Sequence, residues 1–323
     1  MPRSDIESVL RQSETNSILR AGVLDRPPLA RFARAVASFD EVEPAVGAAL
    51  TASLMPGESI RQIIVAPKQR LLGTRKLLGR CKFFLPWELT PDWVLVLTEG
   101  RVLVASVARL GAAPVITPTC TPDILSLETG NILLHSWIEW TWANQGHVDH
   151  TRIYYNAVGQ RLFRNVLDSL RRDLVAQSNL PVVQGERHLE YLAELPFKFM
   201  NIITHDLLLP DEQVQSVIYQ PAIWTWQHKL FRRQLTAAMT LVLSNYHLLL
   251  AEEDLTGRPD AWGLITRFCP RSRIRRAALE QGQDGLWLRL ALELRGVEQE
   301  ISVLFQSSAA AVIRELLYRL QVL

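Results

Sequence analysis

The sequence predicts an α+β protein that contains two copies of one antiparallel, strand-rich domain, each copy ending in an amphipathic helix. Three observations carry this prediction. A set of sequence blocks occurs twice, alternating apolar runs predict hairpins in each copy, and a helical apolar stripe follows the last hairpin of each copy. The chain has 323 residues, of which 48% are hydrophobic and 21% charged, and this is enough for two domains with apolar cores.

The internal repeat is seen at three successive offsets. LMPGESIRQIIVAP at 54–67 aligns with LLPDEQVQSVIYQP at 208–221, an offset of 154 residues. VLVLTEGRVLVA at 94–105 aligns with TLVLSNYHLLLA at 240–251, an offset of 146, so the first copy carries an insertion between these blocks. Beyond them the offset is 150, which pairs Ile124 with Ile274, Trp137 with Trp287, Gly146 with Gly296 and Phe163 with Ile313.

Each copy is predicted to be a meander of about seven antiparallel strands. The stretch WVLVLTEGRVLVASV predicts a hairpin with Gly100 in its turn, where positive φ is needed. Alternation in the later strand places one face on a core. That face comprises Ile138, Trp140 and Trp142 in the first copy, and Leu288, Leu290, Leu292 and Leu294 in the second.

Helices are predicted at the end of each copy and between the copies. The first C-terminal stripe comprises Val158, Leu162, Phe163, Val166, Leu167, Leu170 and Leu174, and the second comprises Val312, Ile313, Leu316, Leu317 and Leu320. Segments 4–20, 27–39 and 186–195 also have helical patterns. We therefore expect a helical N-terminal segment at 1–50, a first domain at 51–176, a linker helix region at 177–205 and a second domain at 206–323.

This order of strands and helix resembles the pleckstrin-homology superfold, and more closely its bacterial pleckstrin-homology-like and GRAM-like domains. The similarity is carried by Pro56 and Glu58 with the hairpin LTEGRVLVA, and again by Pro210 and Glu212 with LSNYHLLLA. It covers 54–174 and 208–323. The resemblance implies two antiparallel β-barrels or sandwiches, each capped by its C-terminal helix, that serve as a binding scaffold and not as an enzyme.

No motif in the sequence predicts catalysis or a cofactor. The three cysteines, Cys81, Cys120 and Cys269, are far apart and fit neither a disulfide framework nor a zinc site. His147 and His150 fall on opposite faces of a predicted strand, which favours solvated hairpin residues over metal ligands. Phosphate-binding glycine loops and nucleophile elbows do not occur. We therefore expect no catalytic residues, no cofactor and no metal.

The basic segment KQRLLGTRKLLGRCK, at 68–82, is the predicted ligand site. It stands where the resemblance places the inositol-phosphate-binding loop between the first two strands, and the matching loop of the second copy is basic as well. Near anionic lipid such residues would give weak, salt-sensitive docking, whereas the alternative is a solvated loop whose leucines pack on their own domain. The candidate residues are Lys68, Arg70, Arg75, Lys76, Arg80 and Lys82 in the first copy, and Lys229, Arg232 and Arg233 in the second.

The remaining features leave several kinds of partner open. Trp137 and Trp287 fall on the outward phase of their strand, which indicates an interface or, alternatively, cover by a helix or loop. A second basic cluster contains Arg271, Arg273, Arg275 and Arg276. We expect an anionic membrane or an acidic protein segment as partner, with a protein–protein scaffold or homo-oligomer as the alternative. The net charge of +2 disfavours nucleic acid, and the polar N-terminus indicates a cytoplasmic protein, peripheral on the inner membrane face if it binds lipid.

Overall fold

The computed structural model describes residues 31–77, 81–107, 113–132, 135–178, 189–227, 231–254 and 263–321. The described chain begins with a short strand, β1 (Arg34–Val36), and helix α1 (Pro44–Ser53). The first repeat follows as β2 (Ile60–Ala66), β3 (Arg70–Leu77), β4 (Cys81–Leu89), β5 (Asp92–Thr98), β6 (Arg101–Val107), β7 (Val115–Cys120), β8 (Ile124–Ile132), β9 (His135–Asn144), β10 (His147–Asn156) and α2 (Gln160–Ala176).

The second repeat has the same order of elements. It is preceded by helix α3 (Phe197–Ile202), which continues into a π-helical turn at Ile203–Leu207. Its elements are β11 (Val214–Gln220), β12 (Ile223–Gln227), β13 (Phe231–Thr236), β14 (Met239–Ser244), β15 (His247–Glu253), β16 (Leu264–Pro270), β17 (Ile274–Gln281), β18 (Leu286–Leu294), β19 (Val297–Phe305) and α4 (Ala310–Gln321). Among the residues that the structure describes, each repeat therefore has nine strands and not about seven, because the basic segment and its counterpart each contribute two.

The two repeats share strand register as well as element order. The pairing of β2 with β5 places Ile60 opposite Thr98 and has a bulge before Gln62. The pairing of β11 with β14 places Val214 opposite Ser244 and has a bulge at the same point. Both β9–β10 and β18–β19 turn through two residues with positive φ, Gln145-Gly146 and Arg295-Gly296, as a two-residue hairpin requires. These are the positions that the sequence offsets relate.

The strands form open sheets, and one of these sheets joins the two repeats. A five-stranded sheet has the order β1-β2-β5-β6-β7, and a three-stranded sheet has the order β17-β18-β19. A seven-stranded sheet has the order β10-β9-β8-β16-β15-β14-β11, in which β8 of the first repeat pairs with β16 of the second. Within the described residues no sheet closes on itself, so the expected barrel is wrong.

The apolar cores follow the predicted patterns. Ile138, Trp140 and Trp142 are buried in one cluster, and Leu288, Leu290 and Leu292 in another. The first cluster contains helix α2 and extends to the outer face of the second repeat's sheet, with Val242, Leu249 and Phe268. Helix α2 therefore packs against both repeats. Helix α1 covers the outer face of the first sheet through Val46 and Leu50, in a third cluster.

The helical stripes are confirmed except at their first positions. Phe163, Val166, Leu167, Leu170 and Leu174 are buried, and so are Ile313, Leu316, Leu317 and Leu320. Val158 and Val312 are 68% and 46% exposed. Val158 lies in a 3-10 turn before α2 begins, and Val312 lies in the first turn of α4, so neither reaches the core beneath the helix.

Two predicted helices are not seen as such. Within 27–39, Arg34–Val36 form strand β1 paired with β2, which buries Val36 against the sheet; this pairing outweighs the helical propensity of the segment. Within 186–195, Leu189–Leu192 form only a 3-10 turn. The helix predicted at 4–20 lies outside the described residues. Of the described helices, none is both long and apolar enough to cross a bilayer.

Candidate functional site

The basic segment of the first repeat is a two-stranded ribbon, β3–β4, and not the loop that was expected. In its register Arg75 lies opposite Phe83, Lys76 opposite Lys82, and Arg70 opposite Leu89. Apolar and β-branched residues stand between the cations of this segment, and such a pattern permits strand formation. The remaining predicted cations are Lys68, which is half-buried before the ribbon, and Arg80, which lies outside the described residues.

The second repeat places a shorter ribbon, β12–β13, at the equivalent point. Arg232 lies opposite Trp226, and Arg233 lies opposite Thr225. The side chain of Arg233 is exposed, and Trp224 on the same ribbon is 46% exposed. Lys229 lies outside the described residues. Both repeats therefore combine basic and aromatic residues on a ribbon. This ribbon lies between β2 and β5 in the first repeat and between β11 and β14 in the second.

Each ribbon is a separate two-stranded sheet with a defined base. In the structure as described, neither ribbon shares a ladder with the larger sheets. At the base of the first ribbon the backbone N–H of Gln69 donates to the Thr90 hydroxyl at 2.8 Å, and the Thr90 N–H donates to the Gln69 carbonyl at 2.9 Å. At the base of the second, the Ile223 N–H donates to the Thr236 hydroxyl at 3.4 Å. These bonds join the two strands of each ribbon at its base.

A buried ionic cluster lies where α2 of the first repeat meets the second repeat. Arg171, Glu212 and His247 are fully buried. The Arg171 guanidinium donates to the Glu212 carboxylate and, at 2.6 Å, to the Leu207 carbonyl. It also lies 4.3 Å from the ring centre of Phe268. The cluster therefore holds a helix of one repeat to the sheet of the other through charge-assisted hydrogen bonds.

The glutamate of this cluster has a counterpart in the first repeat. Glu212 accepts hydrogen bonds from Ser244 and from the Leu209 N–H, and it lies 3.0 Å from His247 Nδ1. Glu58 accepts from Thr98, from the Met55 N–H and from Arg101, at the equivalent positions. The glutamate that follows each repeated proline, Glu58 after Pro56 and Glu212 after Pro210, therefore holds the next hairpin in place through hydrogen bonds. The sequence contained the signal in the recurrence of glutamate, but nothing in it indicated Arg171.

Burial and charge act in opposite directions on this cluster. Burial alone would raise the pKa of Glu212, but Arg171 and His247 outweigh it and lower that pKa to about 2. The hydrogen bond from Arg101 lowers the pKa of Glu58 to about 2. Burial lowers the pKa of His247, although Glu212 opposes this shift. Both carboxylates are therefore charged in the folded protein at neutral pH, and His247 resists protonation.

We predict that acid destabilises the protein in two stages. Below about pH 6.5 the unfolded chain takes up protons at His247 and at the half-buried His135 that the folded chain resists, because burial lowers the pKa of both. Stability therefore falls with falling pH, and His247 contributes up to about 1.4 kcal/mol per pH unit. Below about pH 4.5, protonation of Glu58 and Glu212 in the unfolded chain continues the fall until their folded pKa near 2 is reached. Urea denaturation between pH 8 and 5 measures the first stage. His247→Gln should reduce its slope, leaving the part that comes from His135, whereas His147→Gln, a change at an exposed histidine, should not; equal slopes in both variants would contradict the assignment.

Trp137 is buried at the boundary between the two repeats, beside the ladder of β8 with β16. We call this boundary the seam. Its indole N–H donates to Glu128 at 3.2 Å, and Glu128 in turn accepts from Arg267 of β16 at 2.6 Å. The ring occupies the space above Gly130, where an added Cβ would lie 2.1 Å from it. Trp287 is half-buried against Gly282. The two equivalent tryptophans therefore have different surroundings, and only the first lies beside the β8–β16 junction.

The second basic cluster divides into two structural and two surface arginines. Arg271 is buried and donates to the Ser244 carbonyl at 3.0 Å. Arg273 donates to the carbonyls of Pro122 and Ile124 in the first repeat, at 2.7 and 3.2 Å. Arg275 and Arg276 are exposed on β17. Arg273 therefore ties the second repeat to the first, whereas Arg271 holds elements of the second repeat together, and neither is a free surface cation.

A cavity of about 130 Å³ also lies at the seam, between α2, β8 and β16. Its polar lining includes Thr129, Asn131, Tyr155, Arg164 and Asp206. Arg164 is paired with Asp206 at 2.5 Å, and burial raises the pKa of Tyr155 to about 12, so the cavity presents hydroxyl and amide groups with balanced charge. Across the ranges that the structure covers, no three histidine, cysteine or acidic residues are placed to hold a metal ion.

Comparison with known protein families, and with curated protein sequences, found no match to this chain. The fold and the geometry described above are therefore the basis for the function that we propose.

Proposed function

We propose that the protein is a non-catalytic binding protein whose two basic ribbons, β3–β4 and β12–β13, dock on an anionic membrane surface. The proposal rests on one observation: both repeats place a separate two-stranded ribbon with basic and aromatic residues at the same point of the fold. The resemblance of the repeats to pleckstrin-homology-like domains supports it, because it locates ligand contacts at this point.

The energetics favour weak and reversible docking. Each cation near an anionic leaflet contributes about 1 kcal/mol, and this attraction decays within a Debye length. A partly exposed Trp224 adds an amphipathic ring of the kind that is enriched at membrane interfaces. Cations of both ribbons would need to act together for stable binding, because one ribbon alone supplies only a few kcal/mol.

Cosedimentation with lipid vesicles tests the proposal. We expect binding to vesicles that contain acidic lipid, none to neutral vesicles, and release at about 0.5 M salt, where the Debye length is about 4 Å. The triple variant Arg75→Glu, Lys76→Glu and Arg233→Glu should bind at least about 100-fold more weakly, since each reversal removes one attraction and adds a repulsion. Its melting temperature should stay near that of the parent, because in the described residues the ribbons share no ladder with the larger sheets.

A control variant separates a local site from the effect of net charge. Arg161→Glu, Arg172→Glu and Arg314→Glu change the net charge equally at exposed positions on α2 and α4. This control should lose much less affinity than the ribbon variant. Equal binding to neutral vesicles, or equal losses in the two triple variants, would rule out the ribbon site and favour a protein partner.

A further inference from the structure

The repeats differ in how they use one equivalent sheet edge. The outer edge of β8 pairs with β16, from Phe268 opposite Leu127 to Leu264 opposite Asn131. In this pairing Arg267 lies directly opposite Glu128, and their side chains form an ion pair at 2.6 Å. The counterpart of β8 is β17, and no described strand pairs with its outer edge. This fold therefore presents the same edge twice and pairs it internally only once.

The backbone of β17 is suited to accept a strand. The Gly282 N–H donates to the Gly285 carbonyl, on the side of β18. Because backbone groups alternate in an antiparallel ladder, the N–H and C=O groups of Ala277, Leu279 and Gln281 point to the outer edge. The strand has no proline that would remove an outward donor.

A second edge is also unpaired among the described strands, that of β7, which is the counterpart of β16. This edge is protected against pairing. The Thr121 N–H donates to the Gly100 carbonyl of the neighbouring hairpin, so by alternation the nitrogen of Pro118 points outward. Pro118 has no N–H to donate, whereas its counterpart Phe268 directs one toward β8. A head-to-tail chain of molecules through β17 and β7 is therefore disfavoured.

The sequence of β17 is complementary to itself. Centred on Ala278, two antiparallel copies of RAALE place Ala277 opposite Leu279 and Arg276 opposite Glu280, twice by symmetry. Ala277 and Leu279 have outward backbone groups, so they meet as hydrogen-bonded pairs. Opposite charges directly across an antiparallel pair are stabilising. Arg276 and Glu280 are both exposed and make only exposed ion pairs, with Glu298 and Arg289, which can persist beside the new ones.

We propose that β17 pairs with β17 of a second copy of this chain, which gives a two-fold symmetric dimer with a continuous six-stranded sheet. Helix α4 contacts β17 and carries two exposed apolar side chains, Val312 and Tyr318, the latter 71% exposed. They can extend the contact beyond the strand pair. One strand pair with two added side chains makes a small interface compared with those of stable dimers. We therefore expect the dimer to dissociate in the micromolar range.

Sedimentation equilibrium of the full chain, from about 1 to 200 μM, tests the dimer. Arg276→Glu and Glu280→Arg each place two pairs of like charges across the two-fold axis, and each should weaken dimerisation about 10-fold or more. The double variant exchanges the two charges and should restore the dimer. Arg275→Glu, at an equally exposed neighbour that would face Gln281, should dimerise like the parent.

The outcomes are distinct. Restoration in the double variant would support direct β17–β17 pairing. A parent that stays monomeric throughout, or single variants that dimerise like Arg275→Glu, would overturn it. Melting temperatures within about 2 °C of the parent show that the exposed substitutions leave the fold intact. None of these residues lies on the basic ribbons, so this test is independent of vesicle binding.

Discussion

Replacing Arg171 by methionine should lower the free energy of unfolding by about 3–5 kcal/mol, because it leaves a buried carboxylate without its cation. Glu212 is fully buried, and its other partner His247 is uncharged at neutral pH because burial lowers the pKa of His247, so the carboxylate would have no cation beside it in the cluster. The Leu207 carbonyl would also lose its donor. Urea denaturation at pH 7.5 measures the change.

Two further variants show whether the loss comes from the unpaired charge. Arg172→Met, at the exposed neighbour on α2, should change stability by less than about 0.5 kcal/mol. Combining Arg171→Met with Glu212→Gln removes both charges and should recover part of the loss, since neutral replacements of a buried pair are often tolerated. If Arg171→Met were as stable as Arg172→Met, the cluster would not hold the repeats together.

Replacing Leu316 by aspartate should cost at least about 4 kcal/mol, because it removes an apolar side chain from a packed core and places a charge there. Leu316 is fully buried in the core of the second repeat, beneath α4. The expected result is a chain that is largely unfolded at 37 °C, observed as a loss of cooperative melting in circular dichroism.

Val312→Asp provides the matched control on the same helix. Val312 belongs to the predicted apolar stripe but is exposed, so the same substitution there should cost less than about 1 kcal/mol. Similar melting of the two variants would mean that α4 is not a core element.

The sequence predicted what depends on local pattern and on the repeat itself. Alternation identified Ile138, Trp140 and Trp142 as a core face, and helical spacing identified Leu170 and Leu316, because strand and helix periods determine which side chains share a face. The offsets predicted that the two copies have equivalent positions, and the strands that begin at Ile60 and Val214 do share register and a bulge.

Contacts that join distant segments could not be predicted in this way. The strands β8 and β17 occupy equivalent positions, and only the packing of the whole chain decides which of their edges receives β16. Arg171 has the spacing of a buried helix position, but a charged side chain is expected to be exposed unless an opposite charge lies beside it. That charge is on Glu212, which is distant in sequence. Trp137 has the strand phase of an outward residue, and it is buried because Glu128 and Arg267 lie next to it at the seam.

The conformation of the candidate site differs from the one predicted. The insertion in the first copy indicated a loop at 68–82, whereas the leucine, threonine and phenylalanine residues of this segment pair as strands once the chain reverses. Charge patterns report solvent exposure and not backbone conformation, so a basic ribbon and a basic loop look alike in sequence.

The ladder between β8 and β16 has a consequence for biosynthesis. The strand partner of β8 follows it by more than a hundred residues, so the ribosome releases a complete first repeat with an open β-edge and with Arg171 still lacking the Glu212 carboxylate. Contacts of such long sequence separation form slowly, and an unpaired edge is a template for aggregation while it waits. Protection of that edge by a chaperone during translation would therefore matter most in the interval between synthesis of β8 and synthesis of β16.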